Sequence, residues 1–192
     1  AVSASEGLDV YVEQGDDFDI RVEADENVIE LIGTDIKDGK LRIHAIENIG
    51  RATKNVFVTL PEITALSSSS GADLTGRGMI EADKVRLDAS SGADLRVEIA
   101  ADEIEADCSS GADIRLSGRA NLFYADASSG SDIKAEELQA EVCNAKASSG
   151  ADIRVFVTRT LTADASSGAD IRYGGDPSVE TRKSASGSVA KY

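Results

Sequence analysis

Hydrophobic and polar residues alternate along most of the chain, with the two-residue period of β-strands that bury one face. In the C-terminal two-thirds this alternation keeps a fixed offset from a recurring Ser-Ser-Gly sequence. The glycines of this sequence follow one another at intervals of 18 to 21 residues and are Gly71, Gly92, Gly111, Gly130, Gly150 and Gly168. A decayed copy, Ser-Gly-Ser, lies at Gly187. The pattern predicts a repeat protein with about 19–20 residues per turn.

Apolar residues at fixed distances from each glycine define columns that should point inward. Seven residues before the glycines stand Val85, Ile104, Phe123, Cys143 and Leu161; five before stand Leu87, Ala106, Ala125, Ala145 and Ala163; three before stand Ala89, Cys108, Ala127, Ala147 and Ala165. Three residues after them stand Leu74, Leu95, Ile114, Ile133, Ile153 and Ile171. One unit of two short strands cannot bury this side alone, but units stacked at about 4.8 Å can. The sequence therefore predicts an all-β, single-stranded parallel β-helix, that is, a β-solenoid.

The Ser-Ser-Gly sequence is expected at the corner between two strands. Glycine would supply either backbone freedom or room for close approach, and the serine hydroxyls could bond backbone groups left unpaired at the bend. The segment 135–147, AEELQAEVCNAKA, is rich in helix-forming residues. We nevertheless assign it to a strand, because Cys143, Ala145 and Ala147 keep the inward spacing.

Residues 1–66 lack the repeat but alternate as strands in GLDVYVEQ, DFDIRVEA, VIELIGTDI, KLRIHAI and NVFVTLP. Asp38-Gly39 predicts a two-residue turn, GRATKN (residues 50–55) a loop, and Pro61 the end of a strand. We interpret residues 1–192 as a single solenoid domain. Its parts are an irregular β-rich N-terminal part or cap (1–66), the repeats (67–173) and a polar C-terminal cap (174–192).

Composition excludes several classes of partner. The net charge of −15 would repel nucleic acid and anionic lipid. No apolar run approaches the roughly 20 residues that span a bilayer, and the start at Ala1, without a charged or apolar leader, is that expected of a mature or trimmed chain. Cys108 and Cys143 belong to no metal or redox motif, so small buried side chains are expected there. We predict no cofactor.

Two outward-facing columns on one face carry the candidate chemistry. Two residues after each glycine stand Asp73, Asp94, Asp113, Asp132, Asp152 and Asp170, and two residues further stand Thr75, Arg96, Arg115, Lys134, Arg154 and Arg172. Aspartates stacked at this spacing repel one another by about 0.9 kcal/mol per pair in water. The basic side chains could neutralise them, which is a purely structural role, or the face could bind a glycan, a protein or another copy of the chain.

A second acidic column, four residues before the glycines, raises the question of a metal. It contains Asp88, Asp107, Asp126 and Asp164 and is interrupted by Lys146. Calcium could lie between acidic rows, but the nine-residue glycine-rich calcium repeat is absent from the sequence. We predict no metal site.

No residue is predicted to be catalytic. The charges recur on every turn, whereas a catalytic centre needs one locally unique cluster. The single histidine, His44, lies in an alternating strand, and none of the nucleophile, phosphate-binding or zinc-protease motifs occurs. A carbohydrate-active β-helix enzyme, with its site in the first 66 residues, is the alternative to a non-catalytic binding module.

The opening GLDVYVEQGDD, the VFVTLPEITALSSSSGADL junction, the SSGAD units and the closing GGDPSV together resemble the head GIN domain of putative bacterial autotransporter adhesins. The likeness covers roughly residues 6 to 190. It implies a right-handed single-stranded β-helix in an extracytoplasmic protein of the bacterial cell envelope, whether periplasmic, anchored in the outer membrane or secreted, made with an export or lipoprotein signal. It implies an adhesin-like binding role and supplies no catalytic residues.

Overall fold

A computed structural model of the protein describes residues 1–50, 52–183 and 186–192, with only the backbone of Lys183. The chain is an all-β parallel solenoid of about seven turns. Arg51 in the predicted loop and residues 184–185 before the decayed corner lie outside the described residues. The strands are β1 (Val2–Ala4), β2 (Asp9–Gln14), β3 (Asp19–Ala24), β4 (Ile32–Lys37), β5 (Lys40–Ala45), β6 (Lys54–Leu60), β7 (Ala65–Ser68), β8 (Asp73–Ala89), β9 (Asp94–Cys108), β10 (Asp113–Ala127), β11 (Asp132–Ala147), β12 (Asp152–Ala165), β13 (Asp170–Gly174), β14 (Ser178–Lys183) and β15 (Ser188–Lys191).

The repeats stack as the spacing predicts. Each strand from β8 to β12 pairs in parallel with the next, and equivalent residues such as Leu95 and Ile114 are direct partners. The predicted inward columns are all buried, none of their side chains being more than 3% exposed. The two short strands expected per unit are instead one continuous strand of 14 to 17 residues that bends midway.

The corners depend on backbone conformation. In each of the six, the second serine and the glycine both adopt positive φ, between 53° and 57° for serine and between 68° and 76° for glycine. A Cβ on these glycines would meet no atom within 4 Å, so glycine supplies freedom of conformation and not close approach. The Gly92 N–H donates to the carbonyl of Ser110 on the next turn at 3.1 Å. Backbone groups thus satisfy one another at this corner. At the Gly130 corner the Ser131 hydroxyl also accepts from the Ser128 N–H and donates to the Cys108 carbonyl.

The helix-forming segment 135–147 lies in β11, as assigned. Residues 136–138 form a bulge relative to β12, because Ala135 pairs with Val155 while Gln139 pairs with Phe156. Leu138 points into the core from this bulge and is fully buried. Burial of the inward column outweighs the local helix propensity, which amounts to tenths of a kcal/mol per residue.

The N-terminal strands are not stacked in chain order. β1 lies between β5 and β7, and β2 lies between β6 and β8. A corner equivalent to Ser-Ser-Gly joins β1 to β2, with Glu6 and Gly7 at φ 62° and 67°. The coil formed by β1 and β2 is therefore inserted between the β5–β6 coil and the first repeat.

Antiparallel strands close this end of the solenoid. β3 pairs with β6, and β4 pairs with β5 through the predicted turn at Asp38-Gly39. The strand expected over residues 28–36 is wrong in its first part, because Ile29–Leu31 form a 3-10 helix. The N–H groups of Val28 and Leu31 bond to the carbonyls of Asp25 and Val28, a local turn that brings Val28 into the core. At the other end β14 pairs with β12, and β15 pairs with β13.

Candidate functional site

The aspartates predicted from the sequence form one continuous ladder. Asp73, Asp94, Asp113, Asp132, Asp152 and Asp170 are direct partners on successive strands. The ladder has a seventh member, Asp9 on β2, which pairs with Asp73. Sequence reasoning missed Asp9, although Ser5-Glu6-Gly7-Leu8-Asp9 keeps the offset of two residues between glycine and aspartate. These seven residues are called the acidic column.

The basic residues form a parallel column two residues further along each strand. Arg96, Arg115, Lys134, Arg154 and Arg172 are direct partners in that order, following Thr75. The same register continues past Thr75 to Tyr11, Phe57 and Arg21. We call these nine residues the basic column: Arg21, Phe57, Tyr11, Thr75, Arg96, Arg115, Lys134, Arg154 and Arg172. The acidic column and the basic column together are called the Asp/Arg face.

The aromatic members form a compact cluster at the N-terminal end of the basic column. The rings of Tyr11 and Phe57 are stacked with centroids 5.0 Å apart. The Arg21 guanidinium lies 4.5 Å from the Phe57 centroid, and that of Arg77 lies 4.6 Å from the Tyr11 centroid. The spacing could have revealed Tyr11, which follows Gly7 by four residues as Arg96 follows Gly92.

The two columns neutralise each other only in part. The Lys134 amine lies 2.8 Å from Asp113 and 3.1 Å from Asp132, which raises its pKa. The Arg172 guanidinium lies 3.8 Å from Asp170. By contrast, Arg96, Arg115 and Arg154 form no ion pair within 4 Å with any described carboxylate. Three guanidinium groups on this face therefore lack an acidic partner in a chain of net charge −15.

Two of these arginines line a pair of adjoining cavities. A cavity of about 470 Å³ is lined by basic and acidic residues alike: Arg96, Arg115, Lys134, Glu98, Glu136 and Glu137. A second cavity, of about 230 Å³, shares Arg96 and Arg115 and reaches Asp73 and Tyr11. The shared arginines make the two cavities one groove along the Asp/Arg face.

The carboxyl group of Asp73, in the acidic column, has a raised pKa. Desolvation raises its pKa, and the neighbouring carboxylates of Asp94 and Asp9 raise it further. All three side chains line the smaller cavity. Within residues 1–50, 52–183 and 186–192, however, no group of three or more acidic, histidine or cysteine side chains has an arrangement that could hold a metal ion.

The second acidic column is held by cations from the protein. The Arg86 guanidinium bonds to Asp107 at 2.8 Å and to Asp88 at 3.2 Å. Lys146 stands between Asp126 and Asp164 in the register. A bridging calcium ion is therefore not needed to hold Asp88 and Asp107 together.

The remaining candidate residues have structural roles. Burial raises the pKa of the Cys143 thiol to about 12 and that of Cys108 to about 11, so both remain protonated and unreactive at neutral pH. His44 lies on β5 as predicted, half-buried, with its Nδ1 3.5 Å from an Asp35 oxygen. Neither cysteine nor His44 adjoins the groove.

A solenoid whose charged side chains recur on successive turns beside an open groove is a β-helical protein that presents an extended surface. The sequence profile of the family described as putative auto-transporter adhesin, head GIN domain, matches residues 1–177. The chain belongs to this family, which the SSGAD units had indicated. No curated protein has a sequence that matches it.

Several solved structures share the fold. A putative adhesin from Bacteroides fragilis superposes with a TM-score of 0.86 at 17% identity, covering 100% of this chain and 91% of that one. A putative adhesin from Parabacteroides distasonis gives 0.80 at 20% identity, again covering 100% and 91%. A protein from the same species named as a putative lipid binding protein gives 0.78 at 19% identity, with the same coverage. At these identities the likeness establishes the fold alone.

No helix among the described residues has the length and apolar character to cross a bilayer. The family name refers to adhesins of the autotransporter type, which suggests a location outside the cytoplasm.

Proposed function

We propose that the chain is a non-catalytic, extracytoplasmic binding module of the bacterial cell envelope, and that its Asp/Arg face binds a glycan carrying carboxylate or sulfate groups. The observation that carries this proposal is the pair of unpartnered guanidiniums, Arg96 and Arg115, side by side in one groove. Arginine presents a planar fork of donors that matches carboxylate and sulfate oxygens. The two guanidiniums lie on adjacent strands, about 4.8 Å apart, with carboxylates in the groove lining but none within ion-pair distance. An anion bound between them would relieve their mutual repulsion.

The groove suits a chain-like ligand better than a compact one. It runs across successive turns, so cationic groups repeat along it at the strand spacing of about 4.8 Å. Tyr11, at its N-terminal end, offers an aromatic ring beside the smaller cavity. A polysaccharide could engage several turns at once, and weak contacts on each turn would then add through multivalency.

The test is a titration of the protein with polygalacturonate and with its methyl ester, which keeps the sugar and removes the charge. We expect binding to polygalacturonate and at least about tenfold weaker binding to the ester, or about 1.4 kcal/mol. The double variant Arg96→Gln/Arg115→Gln should lose a similar factor. Arg119→Gln/Arg159→Gln removes the same charge away from the groove and should bind as the parent does.

Equal binding by both double variants would contradict the proposal. The enzyme alternative is tested on the same samples by following the release of unsaturated or reducing ends. Turnover of the polysaccharide would replace the binding module with a carbohydrate-active enzyme. Its loss in Asp73→Asn would indicate a site in the groove, since a perturbed carboxyl in a groove is also a feature of catalytic sites, and its retention would indicate a site in the first 66 residues.

A further inference from the structure

The N-terminal end of the solenoid has an open strand edge. β3 pairs with β6 on one side, and no described strand pairs with it on the other. Its six residues, Asp19–Ala24, leave about 20 Å of backbone with free donors and acceptors. Because β3 closes the stack, a strand added there would continue the solenoid.

The outward side chains of β3, Asp19, Arg21 and Glu23, are charged, but the edge lacks three other features that block strand addition. Protected edges carry proline, a bulge or a charge that points inward. The inward residues of β3 are Ile20, Val22 and Ala24. Ile20 and Val22 pair with the buried Val58 and Val56, and Ala24 pairs with Lys54. Ile20 is 43% exposed, and Phe18, just before the strand, is 84% exposed. An exposed apolar patch, formed by Phe18 and Ile20, therefore lies beside the free backbone.

Charge decides which partner fits this edge. Residues 16–35 contain eight acidic residues and one basic residue. The basic one, Arg21, is already held 2.7 Å from Glu23. A second copy of the chain would bring the same negative charge to the edge and be repelled. An added strand would match the outward face of β3 if it placed cations opposite Asp19 and Glu23. It would match the inward face if it placed apolar side chains opposite Ile20 and Val22.

We propose that the free edge of β3 binds an extended segment of a partner protein in which basic and apolar residues alternate, by addition of a strand to the sheet. The main chain of the segment pairs with β3, its apolar residues cover Ile20, and its cations face Asp19 and Glu23. This surface lies at the end of the stack, whereas the groove of the Asp/Arg face runs along its side.

The probe is a labelled Lys-Val-Lys-Val-Lys-Val peptide, and its binding to the full chain is measured by fluorescence anisotropy. Ile20→Lys places an inward charge on the edge and should weaken binding at least tenfold. Ile36→Lys, on the exposed β4 edge, adds the same charge to an equally apolar position and should change binding less than twofold. If Ile20→Lys melts below the parent, Phe18→Lys, outside the ladder, serves in its place and should weaken binding at least threefold.

Two further peptides separate strand addition from attraction to a negative protein. Lys-Pro-Lys-Pro-Lys-Pro carries the same charge but cannot form a ladder, and Glu-Val-Glu-Val-Glu-Val can form a ladder but has the wrong charge; both should bind at least tenfold more weakly. The proposal is overturned if the proline peptide binds as well as the valine peptide, or if the edge variants bind as the parent does. It is equally overturned if light scattering shows a dimer that Ile20→Lys dissociates, since a second copy would then be the occupant.

Discussion

Gly118 and Gly111 illustrate two different reasons for glycine. Gly111 has a φ of 69° at a corner, and a Cβ there would meet nothing within 4 Å. Gly118 has a φ of 110° at the bend of β10, and a Cβ there would lie 2.1 Å from the Ile99 carbonyl oxygen. Only Gly111 belongs to the sequence repeat; Gly118 has no such marker, and its importance follows from the close approach of two backbones.

Alanine substitutions should separate the two cases. Gly111→Ala is expected to destabilise the fold by about 1 kcal/mol, the penalty of a left-handed conformation. Gly118→Ala should cost more than about 3 kcal/mol, because β9 and β10 must move apart at this point. The urea midpoint by far-UV circular dichroism measures both, and similar midpoints for the two variants would contradict the geometry at the bend.

In the strand ladder, Asp73 lies between the carboxylates of Asp9 and Asp94. Its raised pKa means that the folded chain holds this proton more tightly than the unfolded chain does. Stability contributed by Asp73 is therefore greatest at low pH and falls as the pH rises from the unfolded value of about 3.9 through the folded pKa.

Asp73→Asn should therefore raise the melting temperature at pH 7, and the gain should shrink as the pH is lowered toward 4. The gain should also decrease at high salt, because the residue is exposed and its repulsions are screened. Asp16→Asn, in the exposed connection before β3, removes the same net charge and serves as control. A pH-independent gain, or an equal gain from the control, would exclude repulsion within the ladder as its cause.

The strands of the repeats could be predicted because equivalent residues must stack. Once Leu95 and Ile114 share an offset from glycine, the columns and the outward Asp/Arg face follow from strand geometry alone. Asp9 and Tyr11 were not predicted as members of the columns, because their corner retains only Ser5, Gly7 and Asp9 of the Ser-Ser-Gly-Ala-Asp repeat. The ion pairs could not be predicted for another reason. Asp113 pairs with Lys134 and not with Arg115, and this choice depends on side-chain conformations that a sequence pattern does not specify.

For the whole molecule, the order of the coils could not be predicted. Alternation in residues 1–60 indicates strands, but a strand with an apolar face fits any level of the stack equally well. The pairing of β1 with both β5 and β7 depends on contacts between segments about 40 and 60 residues apart. Such contacts leave no local signal in the sequence.

This insertion predicts how the molecule responds to truncation. Residues 1–14 connect the β5–β6 coil to the repeats and bury Val2, Leu8 and Val10. Their deletion should abolish amide protection in β3 to β6, because β5 and β6 lose their parallel neighbours and β3 and β4 pair only with β6 and β5. Strands β9 to β12 should keep their protection, because each turn depends only on adjacent turns. Deleting residues 188–192 removes the strand beside β13, the Tyr192 hydroxyl that donates to the Val155 carbonyl and the Lys191 amine that bonds to Asp176. It should affect only this C-terminal end and leave β3 to β6 protected. Hydrogen exchange followed by mass spectrometry distinguishes the two patterns, and full protection of Lys54–Leu60 after the first deletion would show that β6 does not need β2.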